Sequence, residues 1–242
     1  PRSEKARALA TLGIEVVEAD LDDLASLSPV FAKAYGVFSV QNPMISGVEG
    51  EIRQGRHVAD AARQAGVEHL VYGSAGTGVK GIGIPSWESK LVVEESIKSR
   101  GLAYTILRPM AFMELMTDKK FFPAIAAWQV MPTLMGSSRK LPWLSAEDLG
   151  VIAARAFDEP ERFLGQELQL LSDVQSIDEC REIYKQVTGK NPPRFPMPVW
   201  MFERYGFVGK DLSSMWRWLR TGVVDLAPEP PRRIHPEALT VR

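Results

Sequence analysis

Three short apolar runs, at 36–40, 67–72 and 103–107, each have the length of a buried strand, and helix-patterned stretches lie between them. In the first such stretch Val58, Ala61, Ala62 and Ala65 fall at i, i+3, i+4 and i+7, and Gly66 follows as a stop. Pro85-Ser86 opens the second, with Ser86 as the expected N-cap. Strand–helix alternation with short turns calls for right-handed crossovers and a parallel sheet. A further strand is expected at 14–18, after a helix over 2–12 that Gly13 ends. Beyond Arg108 the rhythm loosens into a helix at 146–157, a strand at 166–171 and a helix at 177–188 ended by Gly189. The expected fold class is α/β, a doubly wound parallel sheet with a small C-terminal cap. Residues 1–115 would form the sheet domain, and 116–242 the cap region, interleaved with the last strands.

Composition removes several function classes. The chain has 242 residues, and its 29 basic and 30 acidic residues leave a net charge of -1. Electrostatic adhesion to nucleic acid or an anionic membrane is therefore not expected. Cys180 is the single cysteine, which excludes an intramolecular disulfide and fits a cytoplasmic setting. His57, His69 and His235 are scattered, so no metal-ligand spacing arises. The longest apolar stretch, 121–135, contains Pro123, Gln129 and Pro132 and is too short and broken to span a bilayer. The last part, from Asn191, is rich in Pro, Trp and Arg, and its Trp200, Phe202, Trp216 and Trp218 are expected to pack a cap or an interface.

The segments GIEVVEADLDD, GVFSVQNP, AGVEHLVYGSAG, SWESKLVVEE and LAYTILRPMAFME stand in a specific order and spacing over about 3–189. Together they resemble the NmrA-like family, an atypical branch of the short-chain dehydrogenase/reductase superfamily with an NAD(P)-binding Rossmann fold. The resemblance implies NADP or NAD as cofactor. It also implies a domain lacking its first strand–helix–strand unit, of about 30–40 residues, which carries the glycine-rich phosphate turn. Gly73-Ser74-Ala75-Gly76-Thr77-Gly78 is glycine-rich but follows a middle strand, and is expected to be a flexible turn beside the ligand site. The superfamily places a tyrosine four residues before its lysine; here Ser86 stands four before Lys90. An aliphatic hydroxyl is far less acidic than a tyrosine, whose pKa is about 10, so the usual tyrosine–lysine proton relay is not expected.

The candidate site residues follow from the same segments. Asp20 and Leu21 follow the first strand, where the resemblance puts the adenine ring; Asp20 is equally suited to a helix N-cap, the role that better fits Asp22 or Asp23. Gln41 and Asn42 can bond ribose or phosphate, or only form the Asn-Pro turn. Ser74 can hydrogen-bond a substrate carbonyl, or its own turn. Lys90 is the sharpest candidate, a donor to the nicotinamide ribose and a catalytic polar group; otherwise it is a solvated lysine paired with Glu94 at i+4. Pro109, Met110 and Phe112 would offer apolar surface to the nicotinamide, or pack beneath the cap, and Phe121 and Phe122 would extend that pocket. Asp148 reads as a charge at a helix N-terminus.

Two functions fit. One is a redox-sensing dinucleotide binder that passes its occupancy to a regulatory protein partner. The other is an NAD(P)H-dependent oxidoreductase of a small apolar carbonyl, quinone or enone.

Overall fold

The structure, a computed structural model, describes residues 3–118, 124–194, 196–224, 227 and 229–242. Its strands are β1 (Gly36–Ser39), β2 (His69–Gly73), β3 (Tyr104–Pro109), β4 (Ala111–Phe112), β5 (Leu141–Leu144), β6 (Glu167–Leu170) and β7 (Asp173–Gln175). The main sheet has the order β1-β2-β3-β6, and every pairing in it is parallel. The expected parallel pairing of the 36–40 and 67–72 runs is present, with Gly36 opposite His69.

Alternate residues of β2 explain why its run is continuously apolar. Leu70 and Tyr72 pack into one cluster with Val58, Ala62, Val93 and Ile97 from the helices Pro43–Ala65 and Pro85–Ser99. Val71 packs into another with Ile152, Ala156 and Phe163 beneath the opposite face. With helices on both faces, neither set of side chains meets water. The two helices on the first face approach closely at Gly55, where a Cβ would lie 2.5 Å from a Val93 methyl. Gly66 ends the first helix with φ at 68°, a left-handed cap that costs glycine nothing.

The segment 14–18 is not a strand. It runs without a ladder partner, and Ile14 and Val17 are each 50% exposed. A strand is a property of a pair, because isolated extended backbone leaves its N–H and C=O groups to water. Among the described residues β1 pairs only with β2, so no neighbour receives this segment.

After Arg108 the chain builds a second sheet, β4-β5-β7, in which β4 is parallel and β7 antiparallel to β5. Its cluster takes in Trp128, Met131, Trp143, Phe202 and Trp216. Phe202 stacks on Trp216 at 5.4 Å, and Trp218 meets Trp87 edge-on at 5.7 Å, so these aromatics pack in one cluster with Ile84 and Trp87. Trp200 stays on the surface beneath Arg204. The tail is strapped across the helix Ala146–Asp158. Arg155 donates to the Ile234 carbonyl, Arg232 to the Ser172 carbonyl, and Asp148 meets both His235 (3.1 Å) and the Leu239 N–H (3.0 Å). Asp148 therefore lies in a first helical turn, as read, but its side chain is committed to the tail.

Candidate functional site

The Asp20–Asp23 turn is held by its own polar groups. Asp20 accepts the Asp22 N–H at 2.9 Å, and Asp23 caps the helix Leu24–Phe31 by accepting the Ala25 N–H at 3.0 Å. Asp22 ties the turn to the helix Pro43–Ala65 through Gln54 and Arg53, which together hold its carboxyl below the usual range. Asn42 is the N-cap of that helix, accepting the Met44 N–H at 2.9 Å, and Pro43 follows at its first position. These ends enclose one open cleft of about 670 Å³, lined by Asp20, Leu21, Val40, Gln41, Asn42 and Ser46 among others. Four of the expected binding residues thus meet in one place. Gln41 is 3% exposed; its Nε2 donates to Ser39 at 2.8 Å, while its Oε1 is buried without a partner.

Behind the cleft lies a buried polar system. Lys90 is 8% exposed, and its ammonium donates to Glu51 Oε1 at 2.8 Å and to the Gln41 carbonyl at 3.1 Å, 5.7 Å from the centre of the Tyr72 ring. Glu51, on the helix Pro43–Ala65, is fully buried, and Ser89 donates to its other oxygen. Burial, then the Glu51 and Glu94 carboxylates, push the Tyr72 hydroxyl well above its ordinary value. The i+4 pairing of Lys90 with Glu94 does not form. Glu94 instead accepts from Ser74 at 2.5 Å and from the Arg108 guanidinium, which also reaches Glu167 at 2.6 Å. Burial opposes the Arg108 charge, but the Glu94 and Glu167 carboxylates outweigh it and raise its affinity for the proton.

Ser86 is not the N-cap of its helix. Ile84 holds that position without a side-chain cap, and Ser86 is committed elsewhere. Its hydroxyl donates to Asp211 Oδ2 at 2.5 Å and its N–H to Oδ1 at 2.9 Å. Asp211 comes from the distant helix Gly206–Leu219 and is 2% exposed; burial raises its pKa although the Ser86 bonds oppose the rise.

Pro109 is buried at the end of β3, opposite Leu170, and its carbonyl accepts the Gly76 N–H. Met110 packs against the cluster that holds Trp87, Trp143 and Trp216, and Phe112 lies half-buried in β4 opposite Leu144. None of these three lines the Asp20–Gln41 cleft. Phe121 and Phe122 lie outside the described residues. Among the described residues no group of His, Cys, Asp and Glu could hold a metal ion, and no helix is long and apolar enough to cross a membrane.

The sequence reading missed Glu51 and Asp211, and it placed Glu94 beside Lys90 rather than with Ser74 and Arg108. Glu51 had a signal: it stands seven before Val58, in register with the apolar stripe of its helix, where a charge must find a buried partner. Asp211 had none, because its partner lies 125 residues away.

A family model for the NmrA-like family matches residues 1–225. An NmrA-like family domain-containing oxidoreductase, malD of Malbranchea aurantiaca, is 28% identical over 222 residues, taking in 83% of this chain and 66% of that relative. Among solved structures, the triphenylmethane reductase of Citrobacter sp. complexed with NADP(H) superposes with a TM-score of 0.79 at 20% identity, covering 98% of this chain and 84% of the other. NmrA, a negative transcriptional regulator in complex with NAD, superposes with a TM-score of 0.73 at 18% identity, covering 97% and 80%. At such identities the two structures speak for the fold. The family match extends over most of the sequence, and the chain belongs to the NmrA-like family.

Proposed function

We propose that this protein binds NADP or NAD and acts as a redox-sensing, regulatory dinucleotide binder. The observation that carries the reading is the internal commitment of three polar groups. The Ser74 hydroxyl donates a hydrogen bond to Glu94, the Ser86 hydroxyl donates one to Asp211, and Lys90 is paired with Glu51. Each would have to give up a charge-assisted bond, about 1.5–3 kcal/mol, before serving a proton relay. The cleft at Asp20, Leu21, Gln41 and Asn42 is by contrast open. Its size lies within the range of small-molecule sites, and the unpartnered Gln41 Oε1 suits a hydroxyl donor such as a ribose. In this reading Asp20 and Leu21 take the adenine end and Gln41 and Asn42 the sugar–phosphate. Ser74, Lys90, Pro109, Met110 and Phe112 face the nicotinamide end. Residues 1–115 then form the dinucleotide-binding unit and 116–242 the cap, which offers its surface to a protein partner. The single, buried Cys180 suits a cytoplasmic setting.

A second reading is an NAD(P)H-dependent reductase of a small carbonyl, quinone or enone, with Lys90 and Ser74 as its polar catalytic groups. The oxidoreductase names of curated relatives favour it. The bound cofactor would supply the hydride. Calorimetric titration with NADP and NAD tests the shared part: no binding at millimolar concentration, weaker than about -4 kcal/mol, would sink both readings. Steady-state NADPH and NADH oxidation with quinones and aldehydes separates them, since a sensor gives no turnover above buffer.

A further inference from the structure

We infer that Glu51 is a positioning residue for the dinucleotide site: it keeps Lys90 cationic and aimed at Gln41, although Glu51 itself lines no cleft. The inference rests on the dinucleotide reading above and assigns a role to a residue outside that site. Lys90 and Glu51 are 8% and 0% exposed, so neither charge is stabilised by bulk water. Glu51 faces the Lys90 ammonium at 2.8 Å from the helix Pro43–Ala65, and Tyr72 presents its ring from β2. Glu94, on the same helix as Lys90, is committed to Ser74 and Arg108. Glu51 is thus the one carboxylate bonded to the Lys90 ammonium among the described residues. Ser89 fixes the other Glu51 oxygen, so the carboxylate cannot swing away without breaking a second bond. Two of the three ammonium donors are assigned, one to Glu51 and one to the carbonyl of Gln41, whose residue lines the cleft. The third donor is free to meet a ribose or phosphate oxygen.

The pair makes a prediction that a merely structural carboxylate does not. Without Glu51, burial disfavours the charged amine with no carboxylate to offset it. The experiment compares wild type, Glu51→Gln and Glu51→Asp between about pH 7 and 9 with two readouts: the charge of the Lys90 amine by nitrogen NMR of the lysine side chains, and the dissociation constant for NADP. Wild type should keep the charge and a constant affinity throughout. Glu51→Gln should lose the charge within the range, and its affinity should fall roughly 10- to 150-fold from the low end to the high end, as expected for loss of one charge-assisted bond. Glu51→Asp, which keeps the carboxylate, should restore both. A Glu51→Gln profile parallel to wild type would overturn the inference. So would loss of the Lys90 charge within this range in wild type, a result that does not depend on the variants folding. If wild type binds neither NADP nor NAD, the dinucleotide reading fails on its own, and the NMR readout still decides whether Glu51 holds the lysine charged.

Discussion

Lys90 and Glu51 show how a single residue acquires a role from its surroundings. Removing one member of a buried pair strands the other charge, so Lys90→Met should cost about 3–5 kcal/mol of stability. Adding Glu51→Leu should recover most of that loss, because a well-packed apolar pair avoids the desolvation cost of both ions. Urea midpoints of the single and double variants check this; equal losses would mean that the charges are not coupled. Asp211 gives a prediction of opposite character. Its folded pKa is raised by burial, so the native state binds more protons than the unfolded chain from the unfolded value upward, and this group's contribution to stability falls as pH rises through that window. Asp211→Asn carries no such penalty. The melting temperature of the variant minus that of wild type should therefore increase with pH from about 4 upward. A flat difference would show that Asp211 ionises as freely in the folded state as in the unfolded one.

At the scale of elements, the helices Pro43–Ala65 and Pro85–Ser99 carry the site between them, and their separation is set at Gly55. Glycine inside a helix costs up to about 1 kcal/mol relative to alanine. A Cβ there would meet both Val93 methyls within 2.6 Å, and overpacking of this kind costs about 1–3 kcal/mol. Overpacking wins, because Val93 is β-branched and held in the core. Gly55→Ala should therefore lower the melting temperature, whereas an increase would mean that Val93 can move aside. The same helix marks how far element boundaries could be read. Its second half was legible from the Val58–Ala65 stripe, but its start was not. Asn42-Pro43 carries a turn signature that here serves as N-cap and first helical residue, and Gly47, at φ 72°, interrupts the first turns. Burial of the polar positions in the helix Pro85–Ser99 was equally hidden. Ser86, Lys90 and Glu94 look solvated by composition, and are buried because partners from three other segments reach them.

Across the whole molecule, the C-terminal tail closes the structure by returning to its middle. Asp148 binds the tail at two points, the His235 ring and the Leu239 N–H. Asp148→Ala would remove the acceptor of the Leu239 N–H and the partner of the buried His235 ring, and each hydrogen bond lost costs about 0.5–1.5 kcal/mol. The expected result is faster hydrogen exchange at Leu239 and cleavage of the tail by a low protease dose, with β1, β2 and β3 still protected. Unchanged exchange at Leu239 would show that the Arg155 and Arg232 bonds suffice to hold the tail.

The sequence by itself determined the α/β class, the parallel runs of β1, β2 and β3, and the family, because periodicity, glycine stops and ordered motifs are local properties of the chain. It also brought forward Gln41 and Asn42 from a strand end, where ligands gather in such a sheet, and Asp20 and Leu21 from the family resemblance, since the segment before them is not a strand. Only the tertiary structure decided which charges are paired. Lys90 left Glu94, four residues away, for Glu51, 39 residues away, and Ser86 found Asp211. A buried charge must take whichever opposite group the packing brings within bonding distance, and that distance is fixed by the fold rather than by spacing along the chain. The absent strand at 14–18 has the same origin: its pattern suits a strand, but a ladder needs a neighbour, and only the assembled sheet determines whether one is there.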